Sequence, residues 1–288
     1  MIFTANQELI IRLSVFLGVF VVLVSWELVA PRRSKVLSAW KRRGANLLLM
    51  IANAFVLRLL LPLAALSMAT LASVSGWGLL NSLAVNIWLA GILSFLLFDL
   101  LIYFQHRLMH KISFLWRIHR VHHSDTDIDV TTGVRFHPLE ILLSLCIKIT
   151  AVLLIGPPLI AVIVFEVVLS SSSLFNHANI FVPLKVEGIL RNFIVTPDMH
   201  RVHHSVKEYE TNSNFGFNIS LWDRLFGSYR AQPEDGHQGI IVGLKEFRGP
   251  EFVNVLWLFR QPLLNSAEFA SNYDRLINEL SDDKGTLE

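Results

Sequence analysis

The stretch LEILLSLCIKITAVLLIGPPLIAVIVFEVVLSSSSL, residues 139–174, sets the architecture. It is apolar over most of its length, and Gly156-Pro157-Pro158 divides it near the middle. Proline removes a backbone donor and fixes φ, so a turn is expected there instead of one long helix. Two apolar half-segments joined by such a turn form a hairpin, and both ends of a hairpin leave a bilayer on the same side. His137 stands just before the first half and His177 just after the second. The chain flanking the hairpin is therefore expected on one face of a membrane.

Toward the N-terminus, residues 45–98 carry Arg58 as their sole charge, and Ser73-Val-Ser-Gly-Trp-Gly78 breaks the run into an outgoing helix and a returning one over about 83–104. Residues 10–31, with Arg12 and Glu27 near their ends, suffice for one crossing of a hydrocarbon core of about 30 Å. A basic n-region and a small-residue cleavage site are both missing there, so a retained helix is expected and not a signal peptide. Arg32, Arg33, Lys35, Lys41, Arg42 and Arg43 follow with no acidic residue among them. The positive-inside rule assigns that loop to the cytoplasm and the N-terminus to the outside. Counting crossings from there puts residues 106–137, and the chain after residue 176, on the cytoplasmic face.

Composition agrees. Hydrophobic residues make up 53% and charged residues 17% of the 288, with mean hydropathy +0.50, which leaves the range of soluble domains. A net charge of +2, with the basic residues set beside apolar segments, argues against nucleic acid as a partner. Cys146 is the only cysteine, which excludes an intramolecular disulfide framework and any cysteine cage for zinc or iron–sulfur. A metal here must take nitrogen or oxygen ligands. The expected fold is all-α and integral to the membrane, with about four transmembrane helices, the last two a hairpin, capped by a cytoplasmic, helical, histidine-rich metal-binding region. It divides into N-terminal transmembrane helices (1–105), a first histidine region (106–137), the hairpin (138–176), a second histidine region (177–265) and an acidic solvated tail (266–288).

Ten of the eleven histidines fall between positions 106 and 204. His106 and His110 are spaced i, i+4; His119, His122 and His123 are spaced i, i+3, i+4; His200, His203 and His204 repeat that second pattern. Residues three and four apart share a helix face, so each box presents its imidazoles in one direction. The last two boxes share the word HRVHHS, a local repeat consistent with two near-equivalent halves of one site. Imidazole suits iron, zinc, copper and nickel alike. Four nitrogen ligands would complete one zinc ion, whereas these histidines, with His137 and His177 between the boxes, exceed the capacity of one ion and imply two. Alkyl C–H bonds in lipids resist acid–base and nucleophilic attack, and oxygen activated at a metal is the usual solution.

Carboxylates near the boxes are candidates to accept the second ring N–H of a ligand and fix its tautomer. Asp99 lies seven residues before His106, on the same face, and Asp125 and Asp198 adjoin the other boxes. Arg58 and Glu166 are costly within apolar segments unless they pair, face the bundle or mark a path for a head group. His237 matches no box and is expected to be exposed. The run from Trp222 to Tyr229 has the look of an aromatic interfacial helix.

These motifs resemble the fatty acid hydroxylase/sterol desaturase superfamily, whose HxxxH, HxxHH and final HxxHH are matched in order and spacing. Asp99-Leu-Leu-Ile-Tyr-Phe-Gln-His-Arg107, His137-Pro138, Asn176-His177, Asn214-Phe-Gly216 and Trp222-Asp-Arg-Leu-Phe-Gly-Ser-Tyr229 extend the likeness over roughly residues 85–230. The resemblance implies a membrane-bound, non-haem di-iron oxygenase that hydroxylates or desaturates a lipid or sterol-like substrate with O2. His106, His110, His119, His122, His123, His137, His177, His200, His203 and His204 would hold the metals, two iron ions for which zinc could substitute on purification. Electrons would come from a separate donor of ferredoxin or cytochrome b5 type with its reductase, since the chain has no Gly-rich dinucleotide fingerprint and no haem motif. The expected location is the inner, cytoplasmic membrane. The competing function is a metal transporter or sensor using the same histidines, for which ligands near the bilayer midplane are expected. A haem cytochrome is a third option, and needs axial histidines paired across helices.

Overall fold

The computed structural model describes residues 5–34, 39–59 and 65–269, and within them the chain is helical, with isolated β-bridges and no strand. In order the helices are α1 Ala5–Val29, α2 Ala39–Leu59, α3 Ala65–Ser75, the single turn α4 Leu79–Ser82, α5 Ile87–Lys111, α6 Ser113–His123, α7 Pro138–Ile155, α8 Leu159–His177, α9 Leu184–Leu190 and α10 Pro197–His203, followed by shorter turns. Four of the described helices are long and apolar enough to cross a membrane: Gln7–Val29, Ile87–Lys111, Pro138–Ile155 and Leu159–His177. Large apolar side chains such as Val21, Val22, Trp88, Ile92 and Leu154 stand exposed on them. That is surface for hydrocarbon, not water, and the protein is an integral membrane protein.

The hairpin forms where the sequence places it. Pro138 opens α7 with its missing N–H in the position where a helix does not need one, and His137 caps it. Gly156 ends it in the left-handed region at φ 67°, and Pro157-Pro158 leads into α8. Gly78, at φ 98°, packs so closely on this corner that a Cβ there would overlap the Gly156 backbone. The α3–α4 link therefore lies at the same end of the bundle as the hairpin turn, opposite the histidines.

Two expected boundaries shift. The outgoing segment is divided into α2 and α3, and residues 60–64 between them lie outside the described residues. The sequence of α2 opens with Lys41, Arg42 and Arg43 and buries Asn46 and Asn53, which keeps it out of the four apolar spans. The returning helix runs over Ile87–Lys111 and not 83–104, so His106 and His110 continue the span itself. The acidic tail beyond Phe269 falls outside the described residues.

Charges tie the membrane helices to the cap. Glu27, at the end of α1, accepts the backbone N–H of Val130 at 2.8 Å and of Asn179 at 2.7 Å. Arg42 pairs with Asp125 at 2.8 Å and also with Asp129, which Arg43 reaches at 2.6 Å. Arg32 pairs with Asp198 at 3.0 Å. The basic run that reads as a topology signal is thus largely consumed in fixing α1 and α2 against the loops that carry the histidines. Glu166 pairs with Arg12 and Lys148, while Arg58 stands exposed in the last turn of α2.

Candidate metal centre

Nine of the ten clustered histidines converge into two adjoining groups. His106, His110, His119, His123 and His203 form one, and His122, His177, His200 and His204 the other; within each group one ring nitrogen per residue lies within 4.8 Å of all the rest. The boxes are split between them. His119 and His123 serve the first group and His122 the second, while His203 serves the first and His200 and His204 the second. The rings of His123 and His204, one from each group, stack at 4.5 Å.

The tautomers are set from outside. Nδ1 of His106 faces the carbonyl of Phe215 at 2.9 Å, that of His203 faces Ser213 at 2.7 Å, that of His177 faces Ser173 at 2.6 Å and that of His122 faces Arg135 at 3.3 Å. A carbonyl only accepts, so each of these rings donates Nδ1–H and turns an Nε2 lone pair inward. His119 does the same toward the Glu140 carboxylate at 2.8 Å. Phe136 stacks on His122 at 4.5 Å and holds its plane.

The inward atoms lack partners of their own kind. Nε2 of His106, His119 and His203 is buried with no hydrogen bond. Nε2 of His177 lies 3.0 Å from that of His122, 3.0 Å from that of His200 and 3.2 Å from that of His204; His110 and His123 approach at 3.1 Å. For His122 and His177 the contact is lone pair against lone pair, which is repulsive unless a cation lies between them. Adjacent ligand atoms on an octahedral ion with metal–nitrogen bonds of about 2.1 Å stand about 3.0 Å apart. The residues fit metal ions, and the all-nitrogen set suits iron, zinc, copper or nickel. Burial pushes the imidazoles of His122, His123, His200 and His204 well below their ordinary range, with the neighbouring rings adding to the effect, and brings His203 to about 3. They stay neutral, as ligands must.

Other candidate residues lie elsewhere. His137 belongs to neither group: its Nδ1 accepts the N–H of Leu139 as the cap of α7, and its Nε2 meets the Phe259 carbonyl at 3.2 Å. Asp99 contacts no histidine; it takes Asn218 at 2.8 Å, the N–H of Ile219 at 3.1 Å and the Trp222 indole at 2.9 Å. It thereby clamps the loop whose Phe215 carbonyl orients His106. Asp223 secures the same loop through the N–H groups of Phe215 and Gly216. Thus the Trp222 to Tyr229 run starts within the short helix α11, Leu221–Leu225, and works as a clasp. Asp125 binds Arg42, Asn46 and Thr132. Asp198 binds Arg32 and Arg201 and lies 3.4 Å from His237, which is buried, not exposed, because its loop tucks against α10. Glu140 escaped the sequence reading. An acid in the first turn of an apolar helix was its signal.

A cavity of about 360 Å³ opens beneath the histidines, bounded by His106, His119, His122 and His200 from both groups and by Glu140. Its walls are mainly apolar side chains of the membrane helices. Both groups stand at one end of the bundle and none of their members at mid-depth, an arrangement for chemistry at an interface and not for a path across.

Residues 91–228 match the fatty acid hydroxylase family model. That segment, 138 of the 288 residues, and the histidine pattern within it are similar to the fatty acid hydroxylase/sterol desaturase superfamily. The chain is similar to the ornithine lipid hydroxylase of Rhizobium tropici, 32% identical over 148 residues, covering 51% of this chain and 44% of that one. It is also similar to the alkylglycerol monooxygenase of Homo sapiens, 29% identical over 157 residues, 54% of this chain and 34% of the relative. The matches span less than half the length of either relative. No solved structure gives a significant match. The matched segment contains most of α5 and all of α6, the hairpin and α10, so it includes all nine converging histidines.

Proposed function

We propose that the protein is a membrane-bound, non-haem di-iron oxygenase that hydroxylates, or desaturates, a lipid. The observation that carries this reading is the pair of imidazole groups standing side by side over one apolar cavity in a membrane bundle. His106, His110, His119, His123 and His203 would hold one iron and His122, His177, His200 and His204 the other. When bound, the iron pair supplies reductive activation of O2, which an alkyl C–H bond requires. Hydroxylation then balances as R–H + O2 + 2 electrons + 2 protons giving R–OH + H2O, with the electrons from a separate ferredoxin- or cytochrome b5-type donor.

The chain's own residues supply position. Glu140 and the carbonyls of Arg135, Ser173, Ser213 and Phe215 hold five rings in the tautomer that turns Nε2 inward. The apolar walls exclude water and bring a hydrocarbon chain beneath His106, His119, His122 and His200. The run of Lys and Arg over residues 32–43 supports a cytoplasmic position for this end and the cytoplasmic membrane as the location. The names of the relatives support a polar lipid as the substrate class.

Metal analysis of purified protein should find two iron ions per chain, with zinc as the replacement. Lipid mass spectrometry of a deletion strain against its complement should show an O2-dependent change of +16 or −2, unrestored by His119→Ala. Fewer than two metal ions at full occupancy, or no O2-dependent change in any lipid, would overturn the reading.

A further inference from the structure

The cavity does not end on apolar side chains alone: Leu57 of α2 and Ile102 of α5 line its deep end together with charged groups. On each of α1, α7 and α8, the lining residue farthest from the histidines is charged: Arg12, Lys148 and Glu166. The three meet. Arg12 donates to Glu166 Oε2 at 2.9 Å and Lys148 to Oε1 at 2.5 Å, and Arg12 also reaches Glu8 at 2.9 Å. Measured from Pro138 and His177 along their helices, Lys148 and Glu166 lie about 15 Å and about 17 Å below the histidine layer. Charges at that depth are costly, and a paired set is commonly no more stabilising than the apolar residues that could replace it. Stability does not account for three ionic side chains on the wall of one cavity.

Their position does. The polar end of a membrane lipid stays at the interface, and the histidines are at that end of the bundle, so the hydrocarbon chain points down the cavity. Each methylene gains free energy only while it meets apolar wall. A chain end pressed on the ion cluster would displace contacts to charged groups and replace them with none. We propose that Arg12, Glu166 and Lys148 form the floor of the substrate cavity and set the longest hydrocarbon chain the site accepts. This rests on the lipid oxygenase reading above.

The test uses iron-loaded, full-length enzyme and a series of lipids with one head group and increasing chain length. Wild-type kcat/KM is expected to rise with length and then drop by roughly tenfold within a few carbons. Replacing the floor with Lys148→Leu/Glu166→Leu should raise the long-to-short ratio of kcat/KM by roughly tenfold. Leu145→Trp, which adds bulk to the wall one turn nearer the histidines, should move the drop to shorter chains and keeps the test open if the double variant fails to fold. A flat wild-type profile, a drop unmoved in both variants, or a preference for chains ending in a carboxylate would overturn the floor and leave the oxygenase standing. Inactivity toward every lipid would instead remove the oxygenase reading, and the floor with it.

Discussion

Oε1 of Glu140 lies 2.8 Å from Nδ1 of His119, and among the described residues no other carboxylate hydrogen-bonds to a histidine of the two groups. Both side chains are buried, and the cavity passes beside them. A carboxylate on the far nitrogen of a ligand fixes its ring and raises its basicity. Glu140→Leu is expected to lower metal affinity and turnover by about 10–100-fold, and Glu140→Gln, which keeps an acceptor oxygen, by less. Iron retained against a chelator, measured beside turnover, checks this; equal values in both variants would refute it.

His137 and His203 should part company when mutated. His203→Ala removes an inward nitrogen and should lower the iron content. His137→Ala should leave it unchanged and cost about 1 kcal/mol as a lost helix cap. Metal quantification and thermal melting in detergent separate the two effects.

Asp99 is fully buried and accepts hydrogen bonds from Asn218, Ile219 and Trp222. Asp99→Leu would orphan these donors at about 1–3 kcal/mol each. The loop carrying Phe215 should loosen with them, so His106 loses its orientation. The expected result is a lower melting temperature together with lower iron content, although Asp99 touches no histidine. Full iron content in a destabilised variant would show that the clamp does not reach the site.

Burial pushes His237 down to about 4, against the pull of Asp198. In the unfolded chain the same imidazole titrates near 6.5, so between about pH 6.5 and about pH 4 the unfolded state binds a proton that the folded state refuses. The stability associated with a neutral His237 is present above that window and lost as the pH falls through it. Wild-type protein should therefore melt at a lower temperature at about pH 5 than at about pH 7. His237→Asn should show a smaller difference, and melting curves at the two pH values measure it.

What could be read locally in the sequence survives in the structure. The hairpin depends on Gly156-Pro157-Pro158 between apolar runs, and the boxes depend on spacings of three and four, both signals contained within a few residues. The remainder is pairing across the chain. Arg12 finds Glu166 across 154 positions, and His119 finds Glu140 across 21, distances at which spacing carries no information. His137 has the neighbours of a ligand in sequence, yet proline at the next position makes it a helix cap. His237 sits in a Gly/Pro/Asp-bearing loop that reads as solvated, and α10 buries it.

The division of the two HRVHHS words between the groups has one more consequence. A single turn of α6 or α10 delivers nitrogens to both clusters, so neither cluster can be assembled while the other waits. A rotation of either helix by one residue would withdraw ligands from both at once. The two halves of the centre are interlocked, and a chain holding only one of them correctly has no separate place in this fold.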